Sequence, residues 1–162
     1  MKKLQIAISL LSICFIFIGC PYESAVPVNH PTERINPKII GTWEDSKNNE
    51  TYKVSKLNEL SYRIDQLEKD TTEKDKYHAH TSMVNGISFL NLKMVKPVDS
   101  IIKYSFYKME LKTNDTIKLI EVTENIDEQF SSSAKLKKFI ADNMNNSYFF
   151  GKEELILVRS GK

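Results

Sequence analysis

The sequence predicts a mainly β fold: an antiparallel meander barrel or strongly curved sheet of about seven to nine strands, with one amphipathic helix before the last strands. Short runs of alternating apolar and polar residues recur between turn residues. Asn85-Gly86 separates two such runs, and Asn-Gly is a strong hairpin signal because both residues tolerate positive φ. A single stretch near the end carries helical spacing, so the strand–helix–strand alternation of a parallel sheet is missing.

In chain order, Met1-Lys2-Lys3 is a cationic start, and Leu4 to Ile18 is apolar apart from Gln5, Ser9 and Ser12. These are the parts of a secretory signal peptide. The run is too short for a comfortable membrane span, which needs about 20 residues. Phe17-Ile18-Gly19-Cys20 resembles the lipobox of bacterial lipoproteins. The resemblance implies cleavage before Cys20, a diacylglycerol on its thiol and a further acyl chain on the new amino terminus. Two or three chains anchor a protein stably, since each buried CH2 contributes about 0.8 kcal/mol and one chain is marginal.

Residues 1–19 are therefore expected as a signal peptide and 20–38 as a flexible tether, since 21–37 holds four of the five prolines. The β domain is expected over 39–162. Ile39 to Glu44 opens it with the only Trp, and Asp45 to Glu50 is a turn. Tyr52 and Val54 share one face of the next strand, and Asn58-Glu59 turns the chain again. Leu60, Tyr62 and Ile64 alternate with polar residues, and Glu68 to Lys76 reads as a charged loop. Tyr77 to Val84 and Ile87 to Leu92 flank Asn85-Gly86, and Lys96-Pro97 ends that hairpin.

The apolar phase then flips at Phe106-Tyr107 and again between Leu119 and Ile120. Such a flip means a bulge or burial on both faces. Ser131 to Ser133 supplies N-cap hydroxyls for a helix through Leu136, Phe139, Ile140 and Met144. Ser147 to Phe150 and Leu155 to Arg159 are expected as separate closing strands.

Gly41-Thr42-Trp43 at the first barrel strand, with Arg159 at the end of the last, resembles the calycin superfamily of lipocalins and their relatives. The resemblance implies that Arg159 packs across Trp43 and closes the barrel bottom. A guanidinium over an indole gains about 0.5–2 kcal/mol. The Thr-Asp-Tyr signature of kernel lipocalins is missing, and the helix precedes the last strand where a lipocalin helix follows the barrel. The domain is therefore lipocalin-like.

Charge and chemistry narrow the function. The chain holds 23 Lys+Arg and 21 Asp+Glu, and the leader takes Lys2 and Lys3, so the remainder is neutral. No basic stripe suggests nucleic acid. Cys14 leaves with the leader and Cys20 is the lipidation site, which leaves no thiol for a disulfide, metal or nucleophile. His78-x-His80 places two imidazoles on one strand face near Glu73 and Asp75, but a zinc site needs more ligands, and a solvent face carrying both is the simpler reading. Glu153-Glu154 and Asp127-Glu128 lie outside apolar runs, where nothing raises a carboxyl pKa for acid catalysis. Nucleophile-elbow and phosphate-loop motifs are absent.

No catalytic residue, metal or cofactor is therefore assigned. The aromatics Tyr52, Tyr62, Tyr77, Phe89, Tyr104, Phe106, Tyr107, Phe149 and Phe150 either line an apolar pocket or fill a core, as side chains can fill a barrel of about eight strands. The expected function is a non-enzymatic, lipid-anchored cell-envelope lipoprotein. It binds a small apolar ligand in its barrel or, with a filled core, serves a structural or protein-interaction role.

Overall fold

Alternating side chains give strands that bury one face each, and in the computed structural model these strands close on themselves. The structure describes residues 21–48, 50–67, 73–95, 102–123 and 125–161. The leader, Cys20, the stretch 68–72 and Lys96-Pro97 lie outside the described residues.

A two-residue strand β1 (Glu23–Ser24) precedes β2 (Gly41–Asp45), β3 (Thr51–Asn58), β4 (Ser61–Leu67), β5 (Glu73–Val84), β6 (Ile87–Met94), β7 (Tyr104–Thr113) and β8 (Thr116–Val122). The helix α1 (Ser133–Asn143) and β9 (Phe150–Arg159) follow. Strands β2 to β9 pair in sequence order, and β9 returns to β2, so they form a closed antiparallel barrel of eight strands with β1 added beside β7. The lower end carries a 3-10 helix (Pro37–Ile39) and the turns at 59–60, 85–86 and 114–115. The upper end carries the turn after β2, the last residues of β4, β6 and β8, and the first of β5, β7 and β9.

Asn85 (φ 48°) and Gly86 (φ 80°) form the two-residue turn that pairs Val84 with Ile87. The flip at Phe106-Tyr107 is burial on both faces: β7 keeps continuous register with β6 there, Phe106 points outward and Tyr107 inward. The flip after Leu119 coincides with a register shift of β8 against β9 between Ile120 and Val122.

Three expectations are corrected. Lys152, Glu153 and Glu154 do not interrupt the last strand, because backbone pairing of Glu154 with Ile120 and of Leu155 with Leu119 carries β9 through them as one piece. The charged stretch before Tyr77 pairs likewise, with Asp75 against Gln66, so β5 starts at Glu73. Residues 21–38 are not a free tether. They lie on the outer wall as a strap, with Tyr22, Ser24 and Val28 buried.

The strap runs diagonally down the barrel. Tyr22 N–H donates to the Val122 carbonyl and Tyr22 Oη to that of Glu128 (2.8 Å), at the upper end of β8. Val28 N–H donates to Asn91 Oδ1 (2.8 Å) in mid-wall, and Ile35 N–H reaches the Glu59 carbonyl at the lower end. Pro27 and Pro31 suit this path, since proline gives up a backbone donor that the path leaves without a ladder partner.

Two cores result. The outer one lies between the wall of β5 to β8, the strap and α1, and contains Val28, Val84, Phe89, Phe106, Val122, Leu136, Ile140 and Phe149. Helix α1 is capped by Ser132, whose Oγ accepts from Lys135 N–H, and it turns Leu136 and Ile140 inward. The inner core fills the barrel around Trp43.

Candidate functional site

The barrel interior holds an apolar cavity of about 130 Å³. Its floor is built from the lower end. Trp43 is fully buried and its indole N–H donates to the Ile39 carbonyl (2.8 Å), which fixes the 3-10 helix across the barrel. Arg159 pairs in register with Trp43, and its guanidinium carbon lies 4.2 Å from the ring centroid. The same guanidinium donates to the carbonyls of Asn114, Ile40 and Lys38, tying three parts of the lower end together.

Gly41 is required by this arrangement. Its φ is +146°, and a Cβ there would run into Arg159 Nη1. Other residues at such a φ cost on the order of 1–3 kcal/mol. The glycine, the indole and the guanidinium therefore form one closure.

Aliphatic side chains line the cavity walls: Val54, Ile64, Leu90, Leu92, Ile117, Leu119 and Leu157. Four tyrosines, Tyr52, Tyr62, Tyr77 and Tyr107, complete the lining with Gln66. Each hydroxyl is held at the cavity edge. Tyr62 Oη accepts from Asn36 N–H (2.6 Å) at the floor. Tyr52 donates to Glu50 Oε2 (2.7 Å), Tyr107 to Glu121 Oε1 (3.2 Å) and Tyr77 to Gln66 Oε1 (3.3 Å). Burial raises the pKa of all four phenols, and the carboxylates of Glu50 and Glu121 raise Tyr52 and Tyr107 further. The phenols therefore stay neutral donors through the physiological range.

A second, polar cavity of about 220 Å³ abuts the first at Tyr107, Leu119 and Leu155. It is lined by Asp45, Lys47, Asn48, Glu121 and Glu153. Asp45 is buried and its carboxylate accepts from Lys47 N–H and Asn48 Nδ2 (2.9 and 2.8 Å). The interior thus grades from aliphatic at the centre to acidic on the upper β2–β8–β9 side.

No family model, curated protein or solved structure matches the chain.

The structure divides the aromatic candidates into two groups. Tyr52, Tyr62, Tyr77 and Tyr107 line the cavity, whereas Phe89, Tyr104, Phe106, Phe149 and Phe150 belong to the outer core. The histidines are also separated by environment. His78 is half-buried on the outer wall near Lys93 and Arg63. His80 does not face solvent, because the strap covers it: it is 5% exposed, and its Nε2 lies 2.7 Å from the Asn29 carbonyl. That carbonyl only accepts, so Nε2 carries the proton. Burial lowers the His80 pKa, and the Asn29 contact partly opposes this.

Among the described residues no group of three or more His, Cys, Asp or Glu could hold a metal, and no helix is long and apolar enough to cross a membrane. Glu153 and Glu154 both line the polar cavity, and Glu154 also accepts from Lys118 Nζ (2.9 Å). Sequence reasoning missed Asn91, which is fully buried and joins Val28 N–H to Ser82 Oγ (2.9 Å). The available signal was an Asn inside the apolar run Ile87 to Leu92.

Proposed function

We propose that the chain is a non-enzymatic, lipid-anchored cell-envelope lipoprotein whose barrel holds one small apolar ligand. The observation that carries this reading is the interior cavity of about 130 Å³ lined by aliphatic side chains and neutral phenols. An apolar cavity of about 150 Å³ takes up benzene. Pockets for drug-sized ligands begin at roughly 300 Å³. The ligand class is therefore one aromatic ring or a short alkyl chain, with room for a polar end toward the tyrosine hydroxyls. The lipobox at Phe17 to Cys20 supports the anchor, and the Gly41–Trp43–Arg159 closure supports the lipocalin-like reading.

Native mass spectrometry with indole, toluene and hexanoate as probes tests the cavity. A one-to-one complex with at least one probe, lost in Val54→Phe, is expected. Retention of none of the three by the folded protein removes the ligand reading. The anchor is tested separately: Cys20→Ser should lose palmitate labelling and move to the soluble fraction, and unchanged labelling removes that reading.

A further inference from the structure

Three neighbouring strands each send a carboxylate into the upper end of the barrel. Successive side chains of a strand point to opposite faces, so residues two apart share one. Asp45 follows the interior Trp43 on β2, Glu121 follows the interior Leu119 on β8, and Glu153 precedes the interior Leu155 on β9. All three line the polar cavity of about 220 Å³, with Glu154 beside them. That cavity shares Tyr107, Leu119 and Leu155 with the apolar one of about 130 Å³, so the two volumes meet inside the barrel. Tyr107 stands at the junction, a neutral phenol whose hydroxyl lies 3.2 Å from Glu121 Oε1.

The charge of the polar cavity is one-sided. Asp45 is 3% exposed, and among the described residues its oxygens accept from two neutral groups, Lys47 N–H and Asn48 Nδ2, and from no cation. Lys47 is the single basic residue in the lining, and it is exposed. A buried carboxylate is costly until a positive group pairs with it. The Asp45 charge also reaches the apolar cavity: after burial and Glu50, it pushes the Tyr52 phenol up.

We propose that the ligand of the barrel is a primary amine, with its aromatic ring or short alkyl chain in the apolar cavity and its ammonium group in the polar cavity among Asp45, Glu121 and Glu153. This deepens the apolar-ligand reading above and rests on it. Carboxylates alone select nothing beyond positive charge. What selects an amine of this class is their place beside a volume sized for one ring. An ammonium has three donors and no acceptor, which suits a lining of acceptors. An alkyl amine with a pKa near that of lysine, about 10.4, is protonated at neutral pH. A ligand ending in a carboxylate would bring like charge to the same place and is disfavoured.

Calorimetric titration of the full-length protein at neutral pH with phenethylamine, phenethyl alcohol and phenylacetate tests this, since the three share a ring and differ in the charge of the end. The expected order of affinity is amine, alcohol, carboxylate, with the amine bound about tenfold more tightly than the alcohol. The order is read on the unaltered chain, so it does not depend on a variant folding. In the double variant Glu121→Gln, Glu153→Gln the amine should lose most of that advantage while the alcohol binds as before. Alcohol or carboxylate bound as tightly as the amine overturns the amine assignment and leaves the apolar-ligand reading standing. An amine preference undiminished in the folded double variant overturns the assignment likewise. Binding of none of the three by the folded protein overturns both.

Discussion

The two faces of the barrel wall are packed with different aromatics. All six phenylalanines beyond the leader belong to the outer core, beneath α1 and the strap. Inside the barrel the aromatics are Trp43 and four tyrosines, and there is no phenylalanine. Phenyl rings pack without needing a polar partner, and the outer rings do so in close pairs, such as Phe149 and Phe150 with centroids 5.0 Å apart. A buried phenol must place its hydroxyl against a partner. Each interior tyrosine therefore reaches an edge of the cavity and leaves the centre open. The outer core is a filled structural layer, and the inner one retains volume.

Sharp tests of this contrast start with the outer core. Phe106→Ala should cost about 3–5 kcal/mol, the range for truncating a buried aromatic, read as a lower urea midpoint at unchanged slope. Tyr107→Phe, its inward neighbour, should cost no more than about 1.5 kcal/mol, since it removes one hydroxyl hydrogen bond and no ring. Equal losses would erase the distinction. A second test removes the polar clip of the outer layer. Asn91→Leu should cost about 1–3 kcal/mol by leaving the Val28 N–H buried without its acceptor. Protease cleavage within 21–38 should quicken in the same variant.

The same substitution on opposite faces then compares volume directly. Val122→Phe should destabilise by about 1–3 kcal/mol, because the outer core has no space for it. Val54→Phe points into the cavity and should be neutral or stabilising by about 0.5–2 kcal/mol. A large loss in Val54→Phe would mean that the cavity cannot accept a ring.

The smallest effect concerns pH. His80 is a base whose folded pKa lies below its unfolded value of about 6.5, chiefly through burial under the strap. Its contribution to stability is whole above about pH 6.5 and is lost as pH falls through the lowered folded value. Amide exchange in the strap should quicken over that window, and His80→Gln should flatten the dependence.

Much of the barrel was legible because each strand states its own period. Val84 to Ile87 announces a hairpin through Asn85-Gly86, and Ser132 announces the helix start. The double-sided burial of β7 was visible as a phase flip, since a strand covered on both faces loses simple alternation. Three features escaped, the charged start of β5 at Glu73 among them. Lys152 to Glu154 hid the first half of β9, because ladder hydrogen bonds run through the backbone whatever the side chains. The strap hid behind its prolines: Tyr22 and Val28 are too sparse to make a period, and their burial depends on Asn91 and the wall of β6 and β7, far away in sequence. The cavity was legible only as a surplus of aromatics, because alternation says which face is shared and not whether the shared space is full.

The strap also sets a length. Clasped, residues 21–38 lie along the outer wall and add nothing to the length of the domain, because Tyr22, Ser24 and Val28 are buried in it. Peeled from the wall as far as the Trp43–Ile39 closure, the same residues would span about 60 Å fully extended. The Asn91 clip and Tyr22 therefore decide between two reaches of the chain ahead of the barrel, one folded against the wall and one of several nanometres, with the barrel itself unchanged in both.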